Sequence, residues 1–238
     1  NKEVQVITIC PDKAMAGEKC PVLYLLHGYG GNAGTWLGIK PELPQIADKE
    51  GIIFVCPDGK NSWYWDSPLN KEYRYETFVS KELVNYIDKN FTTKVERGGR
   101  AITGLSMGGH GSLWLSIRHK DVFGGGGSMS GGLDIRPFPN NWEMKKQLGE
   151  EASNKQRWDE HTVINQLDKI KNGDLAVIID CGCDDFFLEV NNVVHEKLLK
   201  KKINHDFIIR PGGHTGRYWN NAIDYQILFF SKFFNKSK

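Results

Sequence analysis

Short apolar runs alternate along the chain with longer stretches in which apolar positions recur every three or four residues. That alternation predicts strands joined by helices, the signature of an α/β fold built on a mostly parallel sheet with helices on both faces. The predicted strands are Val4–Ile9, Val22–Leu26, Ile52–Cys56, Gly99–Thr103, Gly125–Met129, Leu175–Asp180 and Asp206–Ile209. Several are apolar without interruption, as strands covered on both faces should be. Helical spacing links Phe78, Val79, Leu83, Val84, Ile87 and Phe91, then Val190, Val194, Leu198 and Leu199, then Ile223, Ile227, Phe230 and Phe234, and these faces are assigned to the core. Two stretches break the rhythm. Residues 57–75, with Trp63, Tyr64 and Trp65 among Asp, Asn and Ser, read as a loop leaving the carboxyl end of a strand. Residues 131–159, with Pro137, Pro139, Asn140 and Asn141, are too polar for a core element and too long for a plain connection, and read as a lid-like excursion. No repeat, low-complexity tract or linker divides the sequence, so a single domain over residues 1–238 is expected.

Charge narrows the choice of partners. The chain has 31 Lys and Arg against 29 Asp and Glu, a formal charge of +2, which is too small for the basic field that nucleic acids or anionic membranes exploit. No apolar run is long enough to span a bilayer. The opening Asn1-Lys2-Glu3 has neither an initiator Met nor a signal-peptide core and reads as a processed or trimmed product. The five cysteines, Cys10, Cys20, Cys56, Cys181 and Cys183, include no C-x-x-C pair. Their number and spacing argue against a disulfide framework and a zinc site, so most are expected as buried thiols, with Cys181 and Cys183 on one strand face.

The sharpest chemical signal is Gly104-Leu105-Ser106-Met107-Gly108, a G-x-S-x-G between a predicted strand and a predicted helix over Met107–Arg118. A nucleophile on so tight a turn needs small neighbours on either side, and Ser106 would project from it. A serine hydroxyl also needs a base and an orienting carboxylate. Of seven histidines, His119 and His195 read as surface residues, His110 lies on the helix after Ser106, His161 near the excursion, and His205 at the start of a strand. His214 follows Pro211-Gly212-Gly213 after the last strand, where ligand-handling loops of open α/β sheets gather. The loop after Leu175–Asp180 offers Asp184 and Asp185, which spacing alone does not separate. Backbone donors for an oxyanion are expected from Met107, directly after the serine, and from Tyr29 in His27-Gly28-Tyr29-Gly30-Gly31. His27 is expected to brace that loop and not to serve as a second base.

Taken in order, these motifs resemble the esterase D branch of the α/β-hydrolases, the putative-esterase group that includes feruloyl, acetylxylan and tributyrin esterases and S-formylglutathione hydrolases. The similarity runs from Pro21–Gly28 through Gly104–Gly109 to the terminal helix. It implies a single-domain α/β-hydrolase. The family places its acid last in Cys-Gly-x-x-Asp, which favours Asp185, and its histidine in Gly-Gly-His before a Tyr-Trp pair, here His214 with Tyr218-Trp219. Gly216-Arg217 and the run Gly124–Gly127 depart from the family pattern. The implied activity is a serine carboxylesterase working through an acyl-enzyme, with no metal or organic cofactor. Trp63, Trp65 and Trp219 are expected to contact a ring-bearing substrate, a small-molecule or polysaccharide-linked ester such as a feruloyl or acetyl ester of plant cell wall. The alternatives are a thioesterase of the S-formylglutathione hydrolase type, an acyltransferase and a non-catalytic carbohydrate-binding protein. A polysaccharide esterase would be secreted or periplasmic; the thioesterase would be cytoplasmic.

Overall fold

Each of the seven predicted runs forms a strand in a computed structural model that describes residues 3–236. The strands are β1 (Val6–Ile9), β2 (Val22–Leu26), β3 (Ile53–Pro57), β4 (Arg100–Gly104), β5 (Gly125–Met129), β6 (Ala176–Gly182) and β7 (Asp206–Arg210). They lie in one sheet in the order β1-β3-β2-β4-β5-β6-β7. β1 is antiparallel to β3 and the other neighbours are parallel. Two-sided burial explains the unbroken apolar runs: in β2, Val22, Tyr24 and Leu26 enter the core on one face while Leu23 and Leu25 enter the core on the other.

The main helices are α1 (Leu43–Glu50), α2 (residues 75–90, with a wider π turn at Phe78–Leu83), α3 (Met107–Arg118), α4 (Met144–Leu148), α5 (Leu188–Lys200) and α6 (Gly216–Lys236). α1 and α6 cover one face of the sheet, and α2, α3 and α5 cover the other. The stripe on α6 is Ile223, Ile227, Phe230 and Phe234, all buried as expected. On α5 the stripe stops at Leu198; Leu199 is 57% exposed, because one further residue rotates about 100° away from the packed face. The glycine run of β5 has a packing reason. A Cβ at Gly126 would lie 2.1 Å from Ser116 Oγ of α3, and one at Gly127 would lie 2.2 Å from Gln226 Oε1 of α6, so both helices close directly onto this strand.

Two expectations change. The stretch 131–159 is not polar throughout but anchored to the body: Leu133, Ile135, Met144, Leu148 and Trp158 are buried in the same core as the sheet. Its polar composition belongs to its outer side, where Arg136 bridges Asp134 and Asp159. The loop after β3 also turns inward. Trp63 and Tyr64 both adopt left-handed backbone, φ 55° and 61°, and with Trp65 they bury three consecutive rings. Trp63 Nε1 donates to Trp142 O at 3.4 Å, Tyr64 Oη to His27 O at 3.0 Å, and Trp65 Nε1 to His110 Nε2 at 2.9 Å. Trp63 and Trp65 are therefore scaffold and cannot meet a substrate; burying so large an apolar surface outweighs leaving it at a solvated rim. The cysteines are free: Cys20, Cys56 and Cys181 are buried, Cys10 is half-buried, and Cys183 is exposed beyond the end of β6. Among the described residues no helix is long and apolar enough to cross a membrane.

Beneath α3 a buried carboxylate ties α2 to α3. Glu76 accepts hydrogen bonds from Trp114 Nε1 at 2.9 Å, Arg118 Nε at 2.7 Å and His119 Nε2 at 2.9 Å. His119, expected on the surface, is thus half-buried in this network. Burial pushes the Glu76 carboxyl up, but the bonds from His119, Arg118 and Trp114 outweigh it and hold the group at about 2. Because the folded value lies below the ordinary 4.5, the stabilisation is complete above pH 4.5 and is lost as pH falls towards 2. Glu76→Gln should therefore lower the unfolding free energy at pH 7 by about 1–3 kcal/mol and flatten the acid limb of a stability–pH curve measured by urea denaturation.

Candidate active site

β4 delivers Ser106 to the rim of the sheet in an unusual backbone state. Its φ of 55° and ψ of −117° place a side-chain-bearing residue in a region that costs about 1–3 kcal/mol. The turn is held by Ser106 N–H donating to Met129 O at 2.9 Å and by the close approach of α3 to β2. A Cβ at Gly108 would lie 2.3 Å from Leu26 O, so only glycine lets the helix begin there. The G-x-S-x-G pattern is thus the local solution to a helix that starts against a neighbouring strand.

His214 reaches this serine from the loop after β7. Both ends of that loop are fixed by the buried Asp180 of β6, which pairs with Arg210 and accepts from Tyr218 Oη at 2.5 Å. Burial holds the Asp180 carboxyl above its ordinary value in spite of these two bonds. His214 Nε2 stands 2.9 Å from Ser106 Oγ, and Nδ1 stands 2.9 Å from Asp185 Oδ2 and 3.1 Å from Oδ1. With its proton on Nδ1, the imidazole donates to the carboxylate and accepts from the serine hydroxyl. Asp185 is buried and also accepts from Phe187 N–H at 2.9 Å. Burial raises its carboxyl, but the bond and charge of His214 and the Phe187 amide more than offset this, leaving the group below the ordinary carboxylate value. Asp184 is exposed, its amide bonded to Gly212 O at 2.9 Å. The geometry selects Asp185.

The expected oxyanion donors sit on either side of Ser106. A Cβ at Gly28 would come within 3.3 Å of Ser106 Cβ, so the Gly28-Tyr29 segment passes directly beside the serine. Among the described residues neither Tyr29 N–H nor Met107 N–H donates to a protein acceptor. Each belongs to a peptide group fixed through its carbonyl. Gly28 O accepts from His27 Nδ1–H at 2.7 Å and from Gly31 N–H at 3.0 Å, and Ser106 O accepts from His110 N–H at 3.0 Å. In a trans peptide the N–H points opposite to the anchored carbonyl. His27 Nε2 in turn accepts from Gly59 N–H at 2.8 Å, and burial keeps the ring's affinity for a proton low, so His27 braces the loop as a neutral residue.

Trp219 lies at the site but is occupied on both sides. Its Nε1 donates to Ser130 Oγ at 3.1 Å and its ring meets His214 edge-on at 4.9 Å. Phe186, which no sequence motif marks, covers the imidazole at 4.3 Å, is 52% exposed, and stacks on Trp142 at 5.8 Å. The signal that could have found it is a large apolar residue directly after the acid. Asn61, Glu143 and the Tyr29 hydroxyl, which hydrogen-bonds Glu143, form a second group around Gly30, and their roles likewise have no motif. The remaining imidazoles serve the scaffold: burial drives His110 down to about 3, and His195 pairs with His205 at 2.7 Å. Among the described residues no group of three or more His, Cys, Asp or Glu side chains could hold a metal ion.

The family described as putative esterase matches residues 1–230. An acetyl esterase of Caldicellulosiruptor saccharolyticus is 27% identical over 92% of this chain and 86% of its own length. An S-formylglutathione hydrolase of Bos taurus is 25% identical over 88% of this chain and 81% of its own. A solved ferulic acid esterase superposes with a TM-score of 0.81 at 26% identity, covering 98% of this chain and 100% of that one. Two further relatives, esterases of Mycobacterium tuberculosis at 27% identity, are longer, and the chain spans 51% of each.

Two substitutions test this geometry. Asp185→Asn should lower kcat for p-nitrophenyl acetate by about a thousandfold or more, while Asp184→Asn stays within about threefold of the native rate. Trp65→Phe removes the donor to buried His110 and should cost about 1–3 kcal/mol in a denaturant titration, with KM unchanged.

Proposed function

We propose, from the premise that the chain belongs to the putative esterase family and is a serine hydrolase of carboxylic esters, that Ser106, His214 and Asp185 perform the hydrolysis through an acyl-enzyme. The single observation that carries the assignment is the continuous relay Ser106 Oγ to His214 Nε2 at 2.9 Å and His214 Nδ1 to Asp185 at 2.9 Å. Ser106 Oγ attacks the ester carbonyl carbon as its proton passes to Nε2. The carbonyl oxygen takes up negative charge facing the Tyr29 and Met107 amides. Collapse of this tetrahedral species breaks the bond to the alcohol oxygen, which leaves with the proton from Nε2. Water then repeats the sequence on the acyl-serine, releasing the acid and restoring Ser106. Asp185 holds the imidazole in the productive tautomer and stabilises its cationic form. The relay supplies its own base and backbone donors, so the reading invokes no metal or organic cofactor.

For the substrate we favour a feruloyl or acetyl ester carried by plant cell-wall polysaccharide. Acetyl and ferulic acid esterases are among the relatives, and the exposed face of Phe186 with Trp142 behind it offers a flat surface next to the base. The aromatic contact expected of Trp63 and Trp65 passes to these two rings. A polysaccharide-linked substrate lies outside the cell, which places the enzyme in the secreted or periplasmic class. The S-formylglutathione hydrolase relative defines the competing reading, a thioesterase with the same relay.

Ser106→Ala should abolish turnover of methyl ferulate, p-nitrophenyl acetate and acetylated xylan by about three powers of ten or more while leaving the melting temperature near that of the native protein. A fluorophosphonate should label the native protein once, at the peptide carrying Ser106; an adduct elsewhere, or retained turnover in Ser106→Ala, overturns the assignment. Faster turnover of S-formylglutathione than of every oxygen ester would transfer the substrate to the thioesterase class.

A further inference from the structure

The Tyr29 amide is useful only if its segment stays beside Ser106, and one side of that segment is held from outside the motif. Gly30, at φ 75°, donates its N–H to Asn61 Oδ1 at 2.9 Å, and Asn61 Nδ2 donates to Glu143 Oε2 at 3.5 Å. The Tyr29 hydroxyl joins the same carboxylate. Glu143 is delivered by a turn that its own sequence would not choose: Trp142 and Glu143 adopt left-handed backbone in succession, with φ 48° and 56°. Neither is glycine, so packing must impose the turn. The Trp142 carbonyl accepts from buried Trp63 Nε1, and the Trp142 ring stacks on Phe186, which covers His214.

Resting on the esterase reading, we propose that Asn61 and Glu143 are positioning residues that set the Tyr29 amide for the oxyanion, with the strained Trp142-Glu143 turn anchoring them to the core. Asn61 acts through its two ends: its oxygen fixes the Gly30 amide, and its nitrogen fixes the side chain itself against Glu143. The effect falls on the tetrahedral state, where the carbonyl oxygen carries charge, and hardly at all on ground-state binding.

The test reverses the direction of one hydrogen bond. Asn61→Asp keeps the shape and the acceptor for Gly30 but sets two carboxylates against each other. Glu143→Gln in the same chain supplies an amide donor to the new aspartate and restores the link. On p-nitrophenyl acetate, Asn61→Asp should lower kcat about tenfold with KM within about twofold, and Glu143→Gln alone should cost less than about threefold. The double variant should recover to within about threefold of the native kcat. The affinity of an aryl trifluoromethyl ketone, whose hemiketal places an oxyanion at the same position, should fall and recover in step. The proposal is overturned by a single Asn61→Asp variant with native kcat and ketone affinity, by a loss confined to KM, or by a double variant no better than Asn61→Asp. Melting curves separate these outcomes from misfolding, because an unfolded Asn61→Asp that stays unfolded in the double variant also counts against a link restored by charge. A native protein that neither cleaves the ester nor binds the ketone overturns the esterase reading itself, which distinguishes that failure from this one.

Discussion

A serine forced into left-handed backbone is the constraint on which the rest of this molecule depends. Ser106 holds that conformation because β4 ends against β2, α3 starts at once, and Met129 accepts its amide. The contacts with β2 and Met129 are not local in sequence. The strain of about 1–3 kcal/mol is offset by the burial of nearly the whole of α3, a helix covered by the sheet on one side and by α2 and the 131–159 stretch around it. The hydroxyl is thereby presented at the carboxyl edge, where the loops after β6 and β7 also emerge. Asp185 and His214 need only short, well-anchored loops to meet it.

The same economy governs the two amides beside Ser106. An N–H is a weak director of charge unless its peptide plane is fixed, and here each plane is held from behind through its carbonyl, one by His27 and Gly31, the other by His110. A neutral imidazole suits the first task because it can donate from Nδ1 and accept on Nε2 without adding a full charge to the interior. His27 and His214 thus use the same tautomer for different ends. The first orients a peptide, and the second, in the proposed mechanism, carries a proton.

What the sequence disclosed, and what it withheld, follows from the range of the interactions involved. Strands such as Val22–Leu26 were legible because burial on both faces leaves an apolar run that neither a half-solvated helix nor a surface loop would carry, and the order of serine, acid and histidine followed from loops at the ends of such runs. Asp184 and Asp185 were inseparable by spacing, because only the turn at Gly182–Phe187 decides which carboxylate faces inward. Trp63 and Trp65 misled because composition does not record direction: a loop rich in Asn, Ser and Asp reads as solvated, yet two residues with positive φ turned its rings inside. The stretch 131–159 misled for the related reason that five buried apolar side chains were dispersed among polar ones with no helical or strand period. Asn61 and Glu143 meet across 82 residues of sequence, beyond any motif.

The distribution of indole rings has an optical consequence. Of seven tryptophans, Trp36, Trp63, Trp65, Trp114 and Trp158 are sealed in the interior, and only Trp142 and Trp219 are partly open. Both open rings stand around His214, one through Phe186 and one directly. Emission from the sealed group reports the integrity of the packing, whereas quenching by a solute or a ligand reaches only the pair around His214. The protein therefore carries, without any label, a fluorophore set whose accessible members are confined to the neighbourhood of a single imidazole.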